Sequence, residues 1–72
     1  MTNTLLLEMA IKRAGLTKRE VANRLGISEM GLYKKINNIT EFKAGEIAKL
    51  YKILKLSNLK EQQSIFFAHF VD

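Results

Sequence analysis

The sequence predicts an all-α fold of five short helices, with the whole chain, residues 1–72, forming one compact domain. Three observations carry that prediction. The chain has no Pro and only four Gly, a composition that permits helices and offers little to a loop-rich fold. Apolar residues recur at three- and four-residue spacing in five separate segments. A Ser, Thr or Asn precedes most of these segments, where a side-chain oxygen can take the free amides of a first turn. A chain this short buries only about 60% of its unfolded surface, so its core must be efficient.

Each helix has its own local reason. Thr2, Asn3 and Thr4 offer N-caps for helix 1, over 4–14, and Gly15 ends it. Leu7, Ala10, Ile11 and Ala14 form its inward stripe, while Leu5, Leu6 and Met9 form a second apolar stripe that needs another partner. Thr17 and Glu20 make a capping box for helix 2, over 18–25, with Val21, Ala22 and Leu25 inward. Gly26 suits a left-handed C-cap. Ile27 is a core plug, and Ser28 caps helix 3, over 29–37, with Leu32 and Ile36 inward. After a turn at 37–40, Phe42 anchors the connection on the core. Helix 4 covers 44–55, with Ile47, Leu50, Tyr51 and Leu54 on one face, and helix 5 covers 58–65 behind Ser57 or Asn58. The end, IFFAHFVD, reads equally as a last helical turn or a short extended tail.

The stretch LTKREVANRLGISEMGLYKKIN packs helices 2 and 3 around one Gly. So short a joint, with the small Ala22 under the crossing, gives a helix-turn-helix. It leaves Glu29, Met30, Tyr33 and Lys34 on the outer face of helix 3. The charge is +5 and is concentrated: residues 12–35 carry seven Lys or Arg against two Glu. Such a region fits a polyanion partner.

At this point the chain resembles the Cro and repressor proteins of temperate phages, within the lambda-repressor-like (XRE) superfamily. The helix-turn-helix stretch carries the resemblance. EFKAGEIAKLYKILKLS and SIFFAHFVD extend it, being similar to the fourth helix and tail of small phage repressors. The resemblance implies a transcription regulator that binds a double-stranded DNA operator, blocks transcription by occupying it, and works in the cytoplasm of a bacterial host, at the nucleoid. With only about four base-reading side chains, such a protein gains by doubling its site, so a homodimer on two half-sites about one helical turn apart is expected. The chain departs from the family at Lys18, where many members carry Gln, at Lys35, where many have an aliphatic residue, and at Gly31 inside helix 3.

The base-reading candidates are Glu29, Met30, Tyr33 and Lys34. Glu29 can accept from a cytosine amino group or simply stabilise the helix N-terminus. Tyr33 and Met30 suit thymine methyls, and Lys34 suits guanine O6 or N7. The phosphate candidates are Lys18, Ser28, Lys35, Asn38 and Lys43. Ser28 is explained by capping alone, and Asn38 by turn chemistry. Phe66, Phe67 and Phe70 at the crowded chain end are candidates for a dimer interface, unless the tail and the second stripe of helix 1 cover each other.

Other classes lack their parts. The chain has no Cys, a single His69 and one Asp, so neither a metal site nor a Ser-His-Asp triad can be assembled, and no cofactor or small-molecule substrate is expected. No apolar run approaches the ~20 residues that span a membrane. The start, with Glu8 and no basic n-region, does not read as a signal peptide. The principal alternative is an antitoxin or anti-repressor that binds protein on the same fold. An RNA-binding module is a weaker one, because five of the six aromatic residues lie outside helix 3.

Overall fold

The structure is a computed structural model that describes residues 1–67. Among the described residues there are five helices and no strand: α1 (Thr4–Arg13), α2 (Lys18–Leu25), α3 (Glu29–Ile36), α4 (Ala44–Ile53) and α5 (Leu59–Phe66). All five expected helices form, with ends displaced by at most two residues. The expected tail beyond Phe67, with Phe70 and His69, lies outside the described residues.

The caps follow the sequence signals. Asn3, Thr17, Ser28 and Asn58 each accept a hydrogen bond from the third amide of the helix they precede. Thr17 and Glu20 complete the reciprocal box: the Thr17 amide donates to the Glu20 carboxylate at 3.0 Å. That backbone donor is the main reason the Glu20 carboxyl titrates below its ordinary value. At α4 the residue before the helix is Lys43, which has no acceptor. There the Glu46 carboxylate reaches back to the Lys43 amide at 2.8 Å. Beyond the α4 C-cap Leu54, Lys55 lies in the left-handed region, φ +56°, and the Leu56 amide donates back to the Tyr51 carbonyl.

One core joins all five helices. Leu7, Ala10 and Ile11 meet Val21, Ala22 and Leu25, Leu32 and Ile36, Leu50 and Leu54, and Ile65 and Phe66, with Leu56 filling the α4–α5 connection. Phe66 was a candidate interface residue; it is instead a core residue, 3% exposed, edge-on to Phe42 at 5.8 Å and to Tyr51 at 5.7 Å. A ring so covered within its own chain has no surface left for a partner.

The N-terminus locks the far end of α3. The Thr2 amide donates to Asn38 Oδ1 at 2.8 Å, Asn38 Nδ2 donates to the Thr2 carbonyl at 2.9 Å, and Thr4 Oγ1 donates to the Ile36 carbonyl at 2.7 Å. The Asn3 amide donates to the Ile65 carbonyl, which ties the start of α1 to the end of α5. α3 is thereby held at its inner face by packing and at its C-terminal end by hydrogen bonds.

Candidate nucleic-acid interface

The joint between α2 and α3 explains why one face of α3 stays free. Gly26 sits at φ +75°, a conformation an L side chain rarely adopts. Its amide donates to the Asn23 carbonyl, and the following Ile27 amide donates to the Ala22 carbonyl. The chain turns within two residues and enters α3 at Ser28. Ala22 is buried below the crossing, and Leu32 and Ile36 seat α3 on the core. Gly31 has a specific reason as well: a Cβ there would meet Ser28 Oγ at 3.1 Å, crowding the hydroxyl that caps the helix by accepting from the Gly31 amide at 2.9 Å.

With Leu32 and Ile36 inside, Glu29, Met30, Tyr33 and Lys34 are all exposed on α3, Met30 at 62% and Tyr33 at 53%. Two large apolar or aromatic groups standing in water beside a Lys form a mixed face, able to donate, to accept and to touch methyl groups. Arg19, from the first turn of α2, places its Nε 3.7 Å from Glu29 Oε1. Both side chains are open to solvent, so this weak pair orients Glu29 more than it stabilises the fold. Arg19 was not among the candidates. Its neighbour Lys18 drew the assignment, although the run KRE points both cations at the same end of α2.

The phosphate candidates separate. Lys18 lies at the start of α2, and its Nζ donates to Glu8 Oε2 of α1 at 2.6 Å, so a phosphate there meets a cation already shared with a carboxylate. Ser28 acts as the α3 cap. Lys43 is exposed at the start of α4. Lys35 turns inward, and Asn38, though exposed, is engaged by the N-terminus. Lys35 is only 13% exposed and donates to Glu46 Oε1 at 2.9 Å and to the Glu41 carbonyl at 3.1 Å. It ties α3 to the start of α4 with two of its three donors, which leaves it poorly placed to hold a phosphate. Asn38, at φ +62°, spends both ends of its amide on Thr2.

Burial pulls the Glu46 carboxyl upward, but hydrogen bonds from the Lys43 amide and the Lys35 ammonium, with the charges of both lysines, outweigh it and hold the group below its ordinary value. Glu46 therefore stays ionised between its two lysines.

Residues 5–38 match the family model described as bacterial regulatory protein, Fis family. The match takes in α1 after its first residue, α2 and α3 up to the Asn38 clamp, just under half of the chain. It makes this segment similar to the helix-turn-helix of DNA-binding regulators, and it supports a DNA-binding role in transcription regulation. No curated protein and no solved structure matches the chain. No helix among the described residues is long and apolar enough to cross a membrane.

Proposed function

We propose that the chain is a sequence-specific regulator of the phage Cro or repressor kind, which binds a double-stranded operator and blocks transcription by occupying it. The outward face of α3 carries this reading: Glu29, Met30, Tyr33 and Lys34 project together from a helix whose other face and C-terminal end are fixed. A rigid helix that presents four varied side chains suits a major groove about 12 Å wide. The order of elements also favours the Cro or repressor kind, since α4 and α5 follow the helix-turn-helix and complete its core.

Lys18, Lys43 and Arg19 are the phosphate contacts of this reading, and Ser28 contributes its cap. Four base-reading residues specify a short site, and a homodimer doubles it. Leu5 and Met9 on the outer side of α1 and the part-exposed Phe67 provide apolar surface for such a pairing, while Leu6 packs against the core. Selection of bound sites from random duplex DNA tests the proposal. Enrichment of an inverted repeat, with half-sites about one helical turn apart, is expected. Recovery of unenriched DNA would overturn sequence-specific reading, and a single unrepeated site would overturn the dimer.

A further inference from the structure

A second basic stretch follows the helix-turn-helix in the chain. The stretch 49–60 reads KLYKILKLSNLK, four Lys and no acidic residue. On α4 the inward residues are Leu50 and Leu54, with Ile47, Tyr51 and Ile53 half-buried against the core. Lys49 and Lys52 stand on the opposite, exposed face, about 4.5 Å apart along the axis. Lys55, in the left-handed position just after the helix, and Lys60, in the first turn of α5, are exposed as well.

No carboxylate of a described residue neutralises this row. Glu8 holds Lys18, Glu29 faces Arg19, Glu46 holds Lys35 and Glu61 holds Arg13. Glu20 closes its own capping box. Glu41 lies before α4, at the end of the helix remote from Lys52 and Lys55. Four of the cations that make the chain basic thus fall within one stretch outside α2 and α3, with no ion pair to an acid among the described residues.

The composition of the row selects its partner. Protein interface cores favour aromatic residues, Met and Arg and are depleted in Lys. Here every cation is Lys, and the one aromatic residue of the stretch 49–60, Tyr51, packs against the core. A membrane-surface helix needs an apolar face free for lipid, whereas the apolar face of α4 is spent on the core. Flexible point charges in a row, with no groups to read an edge or a shape, suit phosphates contacted without regard to sequence.

We propose that Lys49, Lys52, Lys55 and Lys60 form a second DNA surface, which holds backbone phosphates outside the segment read by α3. The proposal rests on the reading that α3 binds duplex DNA. It gives each protomer a sequence-independent grip, so its affinity grows with the length of the duplex beyond the site.

The test compares the wild type with the fourfold variant Lys49→Gln, Lys52→Gln, Lys55→Gln, Lys60→Gln on random-sequence duplexes of about 12 and about 40 base pairs, roughly one and four helical turns. Binding is measured across a salt series, with circular dichroism as the fold control. On the long duplex the variant's slope of log affinity against log salt should be shallower by up to about 3.6, near 0.9 for each of four phosphates lost. On the short duplex, which leaves fewer phosphates outside the α3 segment, the fall should be smaller. The same four positions changed to Arg should restore the wild-type slope. If the fourfold variant loses helix signal, the pairs Lys49 with Lys52 and Lys55 with Lys60 replace it, each expected to remove about half of the change. Equal slopes on the long duplex would overturn the proposal, and so would an equal fall on both duplexes, which would make these lysines part of the α3 surface. Unchanged DNA binding with lost binding to polyglutamate would assign the row to an acidic protein instead. A wild type that binds neither duplex would remove the DNA reading itself, and this proposal with it.

Discussion

The outer face of α3 and the connection from α3 into α4 are built from similar residues and use them in opposite ways. On the outer face, Glu29, Met30, Tyr33 and Lys34 are open to solvent, and the only ion pair there among the described residues is the loose one between Glu29 and Arg19. In the connection, Lys35 donates to Glu46, Glu46 also accepts from the Lys43 amide, and the Asn38 amide exchanges two hydrogen bonds with Thr2. Lys34 and Lys35 mark the boundary. They are neighbours in the chain, but about 100° of helix rotation separates their side chains. One can donate to a ligand, and the other already donates to Glu46 and Glu41. Charge says little about role here; the direction in which the charge is delivered decides it.

The sharpest way to break this comparison uses Leu32 and Tyr33, adjacent residues on its two sides. Leu32 is buried in the core, so Leu32→Ala should cost about 2–5 kcal/mol of stability. Such a loss is a large share of what holds a small domain folded. Tyr33→Ala should shift stability by no more than about 0.5 kcal/mol while weakening operator binding by about 1–3 kcal/mol. Urea unfolding and operator titration of both variants check the pair. A Tyr33 variant that unfolds easily would place that ring in the fold rather than on DNA.

A smaller effect separates the two lysines. Lys35→Ala leaves the part-buried Glu46 carboxylate without its ammonium partner, and the expected loss is about 1–3 kcal/mol of stability. Lys34→Ala should leave stability within about 0.5 kcal/mol of wild type and weaken operator binding instead, relaxing the preference at one or two base pairs. Should Lys35→Ala lose affinity with full stability, Lys35 would be a phosphate contact after all, and its bond to Glu46 incidental.

The fold was largely legible from the sequence because its signals are local. The capping box at Thr17 and Glu20, the Gly26 turn and the apolar spacing each concern a few neighbouring residues, and each appears where the pattern places it. The outward face of α3 was legible for the same reason, since helical periodicity sets it once Leu32 and Ile36 are inward. What periodicity could not show was pairing across the chain. Lys35 meets a carboxylate eleven residues on, Asn38 meets Thr2 thirty-six residues back, and Lys18 meets Glu8 on another helix. Phe66 misled in a related way. A run of apolar residues at a chain end looks surplus until Phe42 and Tyr51 are seen to enclose part of it.

The smallest effect tests the charge state inside the α3–α4 connection. The Glu46 carboxyl is held below its ordinary value of 4.5 in the folded chain. A group depressed on folding contributes stability that is fully present above its unfolded value and is lost as pH falls through its folded value. The contribution of Glu46 should therefore be intact at neutral pH and decline below about pH 4.5, the unfolded reference. Glu46→Gln keeps an oxygen to accept from the Lys43 amide and the Lys35 ammonium but removes the charge, so the variant should be modestly less stable at neutral pH. Urea midpoints measured from neutral pH downward should bring variant and wild type together as acid protonates the wild-type carboxyl. Other carboxyls, Glu20 among them, titrate in both proteins and cancel in the difference. A gap that stays constant down to the lowest pH would mean that Glu46 acts through its shape and hydrogen bonds alone. The charge on Lys35 would then be inward-facing without being compensated, and the contrast with Lys34 would rest on packing rather than on electrostatics.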